Sequence, residues 1–176
     1  WTIGQQFNAE TLEGYFEAKT LSEELQDPRS LEFAQDIFGW LGFPNHKWFM
    51  ERLDQALTNT QSTPNYPAII EQINARINGS ANPFERVLGN IVMGEIYLNY
   101  DLINPAEDRF DEALRNLSGI LTQYEKTIPP NSLVGLHMAL GLLNERVCRN
   151  NDLAIKEFKD VIACAKRIGL KCENYN

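Results

Sequence analysis

The residues of this chain that could do chemistry are few and scattered. Its only histidines are His46 and His137, and neither has a cysteine or a carboxylate at metal-ligand spacing along the sequence. The HExxH motif, paired cysteines, the GxSxG nucleophile motif, the P-loop and the GxGxxG motif are absent. The sequence therefore predicts no catalytic residue, no metal ligand and no cofactor, and we interpret both histidines as structural.

One acidic cluster lies in the first turns of a predicted helix. Its members are Glu107, Asp108, Asp111 and Glu112. Negative charge at that end of a helix complements the helix dipole. The run also lacks the alternating oxygen ligands and the glycine of an EF-hand loop. We interpret these residues as helix-stabilising rather than metal-binding.

Composition limits the classes of partner. The 24 acidic and 16 basic side chains give a net charge of −8, which repels phosphate backbones and predicts no nucleic-acid partner. Basic peptides or basic protein faces suit this charge better. No apolar segment approaches the roughly 20 residues of a membrane span.

The cysteines indicate a reducing compartment such as the cytoplasm. Cys148, Cys164 and Cys172 show no CxxC spacing, and one stays unpaired under any disulfide scheme. A bridge between Cys164 and Cys172 is conceivable, but free thiols are the favoured interpretation.

Proline, asparagine and glycine mark helix ends clearly. Asn82-Pro83 and Asn104-Pro105 each place a capping side chain before a proline at the first helical position. Apolar residues recur at helical spacing, and no segment alternates as a strand would. The sequence predicts one all-α domain over 1–176, with eight helices at 8–25, 28–41, 45–59, 65–78, 83–100, 105–126, 132–149 and 151–168.

Three parts of this domain differ in character. Residues 1–60 form aromatic-rich helices, residues 65–169 form helical hairpins, and residues 170–176 form a polar tail that is expected to fray.

The hairpin part contains one pattern twice. Met93-Gly94 in the first copy corresponds to Leu140-Gly141 in the second. After a turn, a small residue is followed four positions later by a larger apolar one, in the pairs Ala113 with Leu117 and Ala154 with Phe158. Small residues on both helices of a hairpin allow close approach, so Gly94, Ala113, Gly141 and Ala154 are predicted to be the contact points.

Segments 86–129 and 134–169 resemble tetratricopeptide repeats, which pair antiparallel helices in units of about 34 residues. Tyr97 follows Met93-Gly94 at the spacing of that family, whereas Asn144 follows Leu140-Gly141 where an aromatic residue is expected. The resemblance implies hairpins stacked as a right-handed superhelix. It also implies a non-enzymatic scaffold that binds a protein or peptide on its concave face.

In such an array the groove would be lined by residues from the first helix of each hairpin. These are Ile91, Glu95, Leu98, Asn99, Met138, Leu142, Glu145 and Arg146. Family members that clamp a terminal carboxylate carry Lys and Asn where Ile91 and Glu95 stand here, so a carboxylate clamp is disfavoured. An acidic, partly apolar groove would suit a basic amphipathic ligand. Alternatively, Glu95 and Glu145 are simply solvated helix residues.

The aromatic N-terminal third offers a second candidate surface. Trp40 and Trp48 do not obviously share the face of their neighbours, so one could be an exposed anchor for a partner. The function predicted is therefore a protein-binding scaffold, or one subunit of a larger complex. The alternative is an all-α enzyme or small-ligand carrier with an apolar pocket near His46 and Trp48.

Overall fold

The computed structural model describes residues 34, 37, 41, 46–58, 65–128, 130–148 and 151–169 of the chain. These residues form helices and no strand, which confirms the all-α class for this part of the chain. The six helices are α1 (His46–Thr58), α2 (Tyr66–Gly79), α3 (Pro83–Asn99), α4 (Ile103–Tyr124), α5 (Pro130–Cys148) and α6 (Asn151–Arg167). The helices predicted at 8–25 and 28–41 lie outside the described residues, apart from positions 34, 37 and 41, which are helical.

The last six predicted helices are confirmed to within two residues at each end. The start of α3 shows why. The side chain of Asn82 accepts a hydrogen bond from the backbone N–H of Phe84 at 3.0 Å, and Pro83 occupies the first helical position. Such caps are local interactions, so the sequence reveals them directly.

The turn between α3 and α4 is shorter than predicted. Asp101 adopts a left-handed conformation, with φ of 57°, and the N–H of Leu102 donates to the carbonyl of Tyr97 at 2.9 Å. This geometry ends a helix abruptly. Helix α4 therefore begins at Ile103, and Asn104 lies inside its first turn rather than capping it.

The helices divide into buried and outer ones. In α3 every residue from Val87 to Ile96 is buried, and in α5 the same holds from Ser132 to Asn144 except for His137. Helices α4 and α6 carry exposed polar residues along one side, as expected of amphipathic helices that cover a core. The described chain is thus built around α3 and α5.

A phenylalanine ring seated against a glycine holds each hairpin together. A Cβ built on Gly94 would lie 2.7 Å from the ring of Phe110, and one on Gly141 would lie 2.4 Å from the ring of Phe158. Each glycine and the phenylalanine that contacts it lie a similar number of residues from the turn between their helices. Helix α3 therefore runs antiparallel to α4, and α5 runs antiparallel to α6. The predicted close approach at both glycines is confirmed.

The predicted alignment between the two hairpins is wrong. The counterpart of Phe158 is Phe110, not Leu117, because these two rings occupy the glycine positions. The small residue one turn before the ring is then Ala106 in α4 and Ala154 in α6, and both are buried. Ala113, which was predicted to match Ala154, is buried one turn beyond Phe110.

The other side of α3 packs on α1 and α2. A Cβ on Gly89 would lie within 2.4 Å of the side chain of Ile77 in α2. The hydroxyl of Tyr100 donates to the carbonyl of Ala56 in α1 at 3.0 Å, and the Tyr100 ring lies 4.3 Å from that of Tyr66. Helix α3 therefore packs on α4 on one side and on α1 and α2 on the other.

Candidate functional site

Half of the predicted groove is buried. Ile91, Glu95 and Met138 have no exposed surface, and Leu142 is 6% exposed, so these four side chains do not line an open groove. Leu98 packs partly on the core. Because α3 and α5 are covered on nearly all sides, they lack the open face that the hairpin pattern suggested.

The remaining predicted groove residues keep some exposure. Asn99 is exposed, and Glu145 and Arg146 are half-buried. A role for these residues and for Leu98 in partner binding stays a prediction.

Glu95 and Arg146 join the two hairpins. The Nε of Arg146 donates to Oε1 of Glu95 at 3.1 Å, and its Nη2 donates to Oε2 at 2.9 Å. The Glu95 side chain has no exposed surface and that of Arg146 is 18% exposed. Glu95 is therefore neither a solvated helix residue nor an available negative charge, which removes the main argument for a basic ligand.

In the second candidate surface, the aromatic N-terminal third, other side chains cover Trp48. Its ring lies beneath two guanidinium groups, those of Arg52 at 4.8 Å and Arg76 at 4.5 Å, and meets the Phe49 ring edge-on. Trp48 is half-buried and His46 is exposed. Trp40, the other predicted anchor, lies outside the described residues.

A polar cleft lies where α2, α3 and α4 meet. Its volume is about 460 Å³, within the range of about 300–1,000 Å³ typical of ligand sites. Four asparagines, two arginines, two acidic residues and one isoleucine line it. They are Asn74, Ile77, Asn78, Arg86, Asn90, Asp108, Arg109, Glu112 and Asn116.

Hydrogen bonds fix the floor of this cleft. Asn90, only 2% exposed, donates to the carbonyl of Arg86 at 2.8 Å and accepts from Nη1 of Arg109 at 3.3 Å. Nδ2 of Asn116 donates to Oε1 of Glu112 at 2.9 Å. A hydrogen bond from Arg115, with further help from Asn116, holds the pKa of the Glu112 carboxyl below its usual value despite partial burial. The carboxylate therefore stays ionised at neutral pH.

Asparagines inside the helices are a sequence signal for this cleft that apolar periodicity does not reveal. Asn74, Asn90 and Asn116 lie well inside helices, where asparagine is unfavourable because its amide competes for backbone hydrogen bonds. Several such residues in neighbouring helices indicate that their amides have a role other than stabilising the helix in which they lie.

An ion pair beside the cleft holds α2 to the start of α3. Nη2 of Arg76 lies 2.6 Å from Oε1 of Glu85, whose side chain is 9% exposed. Glu85 follows Asn82 at the spacing of a capping box, in which its side chain would bond back to the N–H of Asn82. Instead, that N–H donates to the hydroxyl of Ser80 at 3.1 Å, and Glu85 pairs with α2.

Glu85→Gln is expected to destabilise the protein at neutral pH but not in acid. Burial raises the pKa of this carboxyl, but hydrogen bonds from Arg76 and Ser80 outweigh it and leave the pKa below its usual value. A lowered folded-state pKa adds stability above the unfolded-state pKa, and this is lost as the pH falls through the folded-state value. Urea denaturation should show a loss of about 1 kcal/mol at neutral pH that shrinks towards pH 3.

The control for this prediction is Glu51→Gln, which changes an exposed carboxyl of α1. It should leave the free energy of unfolding nearly unchanged over the same pH range. A difference between wild type and Glu85→Gln that stays constant from neutral pH to acid would contradict the prediction.

His137 meets two carboxylates from α6. Its Nδ1 lies 2.8 Å from Oε2 of Glu157, and ligand atoms of His137, Glu157 and Asp160 all lie within 4.8 Å of one another. Neither carboxylate lies near His137 along the chain, so sequence spacing did not indicate this cluster. Here the folding of α6 against α5 supplies them from 20 or more positions away.

The remaining chemical groups in the described residues are few. Cys164 is a buried free thiol that accepts from Nη2 of Arg167 at 2.8 Å; Cys172 lies outside those residues. Among the described helices, none has the length and apolarity needed to cross a membrane.

No protein-family model, curated protein or solved structure matches this chain significantly.

Proposed function

We propose that this chain is a helical-repeat binding domain that holds an extended segment of a partner protein in the polar cleft between α2, α3 and α4. The observation that carries the proposal is the cleft itself, in which amide and guanidinium groups from three helices face one space of about 460 Å³. Such groups suit hydrogen bonding to a peptide better than enclosure of an apolar molecule.

The asparagines of α2 match the chemistry and spacing of a peptide main chain. An asparagine amide offers both donor and acceptor, as does each peptide unit. Asn74 and Asn78 are one helical turn apart, which places their Cβ atoms about 6 Å apart on one face. Alternate residues of an extended peptide repeat at about 6.6 Å. The two asparagine amides could therefore form hydrogen bonds with alternate residues of one extended peptide, whose polar groups point to the same side.

The charged residues of the cleft favour a partner segment of mixed charge. Arg86 and Asp108 are exposed at the cleft, and Arg109 is oriented by its hydrogen bond with Asn90. Two arginines and two acidic side chains balance formally. A ligand with an acidic and a basic side chain would therefore fit better than the purely basic ligand expected from composition.

The corrected hairpin alignment supports the repeat component of the proposal. In that alignment the first hairpin carries Met93-Gly94, Tyr97, Ala106 and Phe110. This is close to the L-G-x₂-Y…A-x₃-F pattern of tetratricopeptide repeats. The second hairpin keeps all of these positions except the tyrosine, where Asn144 stands. Repeats of this kind commonly serve as protein-binding scaffolds.

Peptide selection followed by mutation tests this function. A displayed library of random 12-residue peptides is selected on the whole chain, and the affinities of recovered peptides are measured by calorimetry. Asn78→Ala and Arg86→Ala are each expected to weaken binding about tenfold, which corresponds to one lost polar contact of about 1.4 kcal/mol. Both residues are exposed, so the fold should tolerate these changes.

The matched controls are Asn99→Ala and Lys126→Ala, which alter exposed residues away from the cleft. Affinity should be unchanged in both. If Asn99→Ala weakens binding while the cleft variants do not, the ligand occupies the end of α3, where the sequence predicted a groove, and the cleft proposal fails. Failure to recover any binding peptide would also contradict it.

A further inference from the structure

We infer that His137, Glu157 and Asp160 form a binding site for a divalent transition-metal ion between α5 and α6. One ring nitrogen and two carboxylate oxygens lie within 4.8 Å of one another. The ligand types are those that Zn²⁺ takes in proteins, and three protein ligands with a remaining open position is a common arrangement for this ion. This site is independent of the polar cleft, to which α5 and α6 contribute no residue.

The distances are close to those that one ion requires. Bonds of about 2.0–2.2 Å place neighbouring ligand atoms about 3.0–3.5 Å apart. Nδ1 of His137 and Oε2 of Glu157 are already 2.8 Å apart. The carboxylate of Asp160 needs to approach by about 1–2 Å to complete the set, which a side-chain rotation can supply. An ion would then replace the hydrogen that His137 and Glu157 share.

The hairpin contact positions these ligands in advance. His137 lies one helical turn before Gly141, while Glu157 and Asp160 lie beside Phe158 on α6. The Phe158 ring seated against Gly141 sets the separation of the two helices at this level. Ligands on facing helices, with two of them three positions apart on one helix, are how helical bundles hold metal ions.

Charge and burial favour a doubly charged ion of intermediate softness. Glu157 and Asp160 together balance the charge of a divalent cation. The side chains of His137 and Glu157 are only 11% and 13% exposed, so water screens their attraction for an ion weakly. The imidazole favours Zn²⁺ over Mg²⁺ and Ca²⁺, which prefer oxygen ligands alone.

Titration of the whole metal-free chain with Zn²⁺, followed by calorimetry, tests the site. We expect one tightest site per chain, with Mn²⁺ weaker than Zn²⁺ and with Mg²⁺ and Ca²⁺ weaker still. Asp160→Asn and His137→Ala are each expected to weaken Zn²⁺ binding at least tenfold. Because the ion binds the folded chain, Zn²⁺ at a hundredfold excess over its Kd should raise the melting temperature by about 5–10 °C in the wild type.

Asp160→Asn is the decisive variant, because it keeps nearly the same shape and leaves the bond between His137 and Glu157 in place. His46→Ala and Cys164→Ser are the controls for binding by the other histidine and by the buried thiol. Both should retain wild-type affinity at the tightest site. The circular dichroism spectrum and the metal-free melting temperature of each variant establish that it is folded.

Three outcomes would overturn the inference. They are equal Zn²⁺ affinity in wild type and folded Asp160→Asn, loss of the tightest site in His46→Ala or Cys164→Ser, and Mg²⁺ or Ca²⁺ binding as tightly as Zn²⁺. Co²⁺ supplies a spectroscopic check, because its visible absorption should show nitrogen and oxygen ligands in the wild type and change in His137→Ala. A thiolate charge-transfer band would instead place the ion at a cysteine.

Discussion

Arg146→Met is expected to lower the free energy of unfolding by about 3–5 kcal/mol, because it leaves the Glu95 carboxylate without its bidentate partner in a buried position. Glu95 has no exposed surface, and both of its oxygens accept from Arg146. Methionine preserves most of the apolar stem of arginine, so the loss reports mainly on the buried charge. Chemical denaturation measures it directly.

The exposed pair of Glu112 and Arg115 provides the matched control. Its side chains are 44% and 69% exposed, so Arg115→Met should leave the free energy of unfolding nearly unchanged. The double variant Glu95→Leu with Arg146→Met should recover much of the stability lost in Arg146→Met, because an apolar pair can replace a buried ion pair at little cost. If Arg146→Met costs no more than Arg115→Met, the buried pair does not stabilise the junction between hairpins.

Phe110→Ala is expected to destabilise the protein by about 3–5 kcal/mol. The ring is only 2% exposed and fills the space against Gly94 between α3 and α4. Phe158→Ala in the second hairpin should cost clearly less, because Phe158 is only half-buried. Thermal and chemical denaturation of both variants tests whether Phe110→Ala costs more stability than Phe158→Ala.

A double-mutant cycle separates this contact from general loss of core volume. Gly94→Ala should destabilise the wild type, because the new Cβ would lie 2.7 Å from a ring that cannot move into solvent. In the Phe110→Ala background the same change should be neutral or stabilising by up to about 1 kcal/mol, since alanine is the better helix former. Additive effects of the two substitutions would contradict the proposed contact.

The Glu95–Arg146 ion pair and the Phe110–Gly94 contact bear on the proposed function because they position the helices that carry the candidate sites. Phe110 lies next to Arg109 on α4 and fixes the helix that supplies four residues of the cleft. The ion pair of Glu95 with Arg146 sets the second hairpin against the first, and Gly141 with Phe158 fixes the spacing of the inferred metal ligands. Stability measurements on these variants should therefore precede any binding assay that uses them.

Helix type and helix ends were predictable because the signals for them are local. Asn82-Pro83 caps α3 through atoms two residues apart, and apolar periodicity gave the extent of α3 to α6 to within two residues. The glycines at 94 and 141 were identifiable as close-approach points because helix interiors rarely gain from glycine. The ring that faces each glycine was harder to assign. Phe110, Ala113 and Leu117 share one face of α4 at helical spacing, so periodicity could not choose among them.

The candidate sites depended on packing between helices distant in sequence. Because α3 is buried on nearly all sides, Ile91 and Glu95 do not line the expected groove. The polar cleft lies instead between α2, α3 and α4. His137 acquired Glu157 and Asp160 only because α6 folds back along α5. Sequence spacing gives the face of one helix on which a residue lies, but the distance between side chains on two helices depends on how their surfaces interlock. Local sequence therefore determined the helices, and tertiary packing decided which of their polar residues meet.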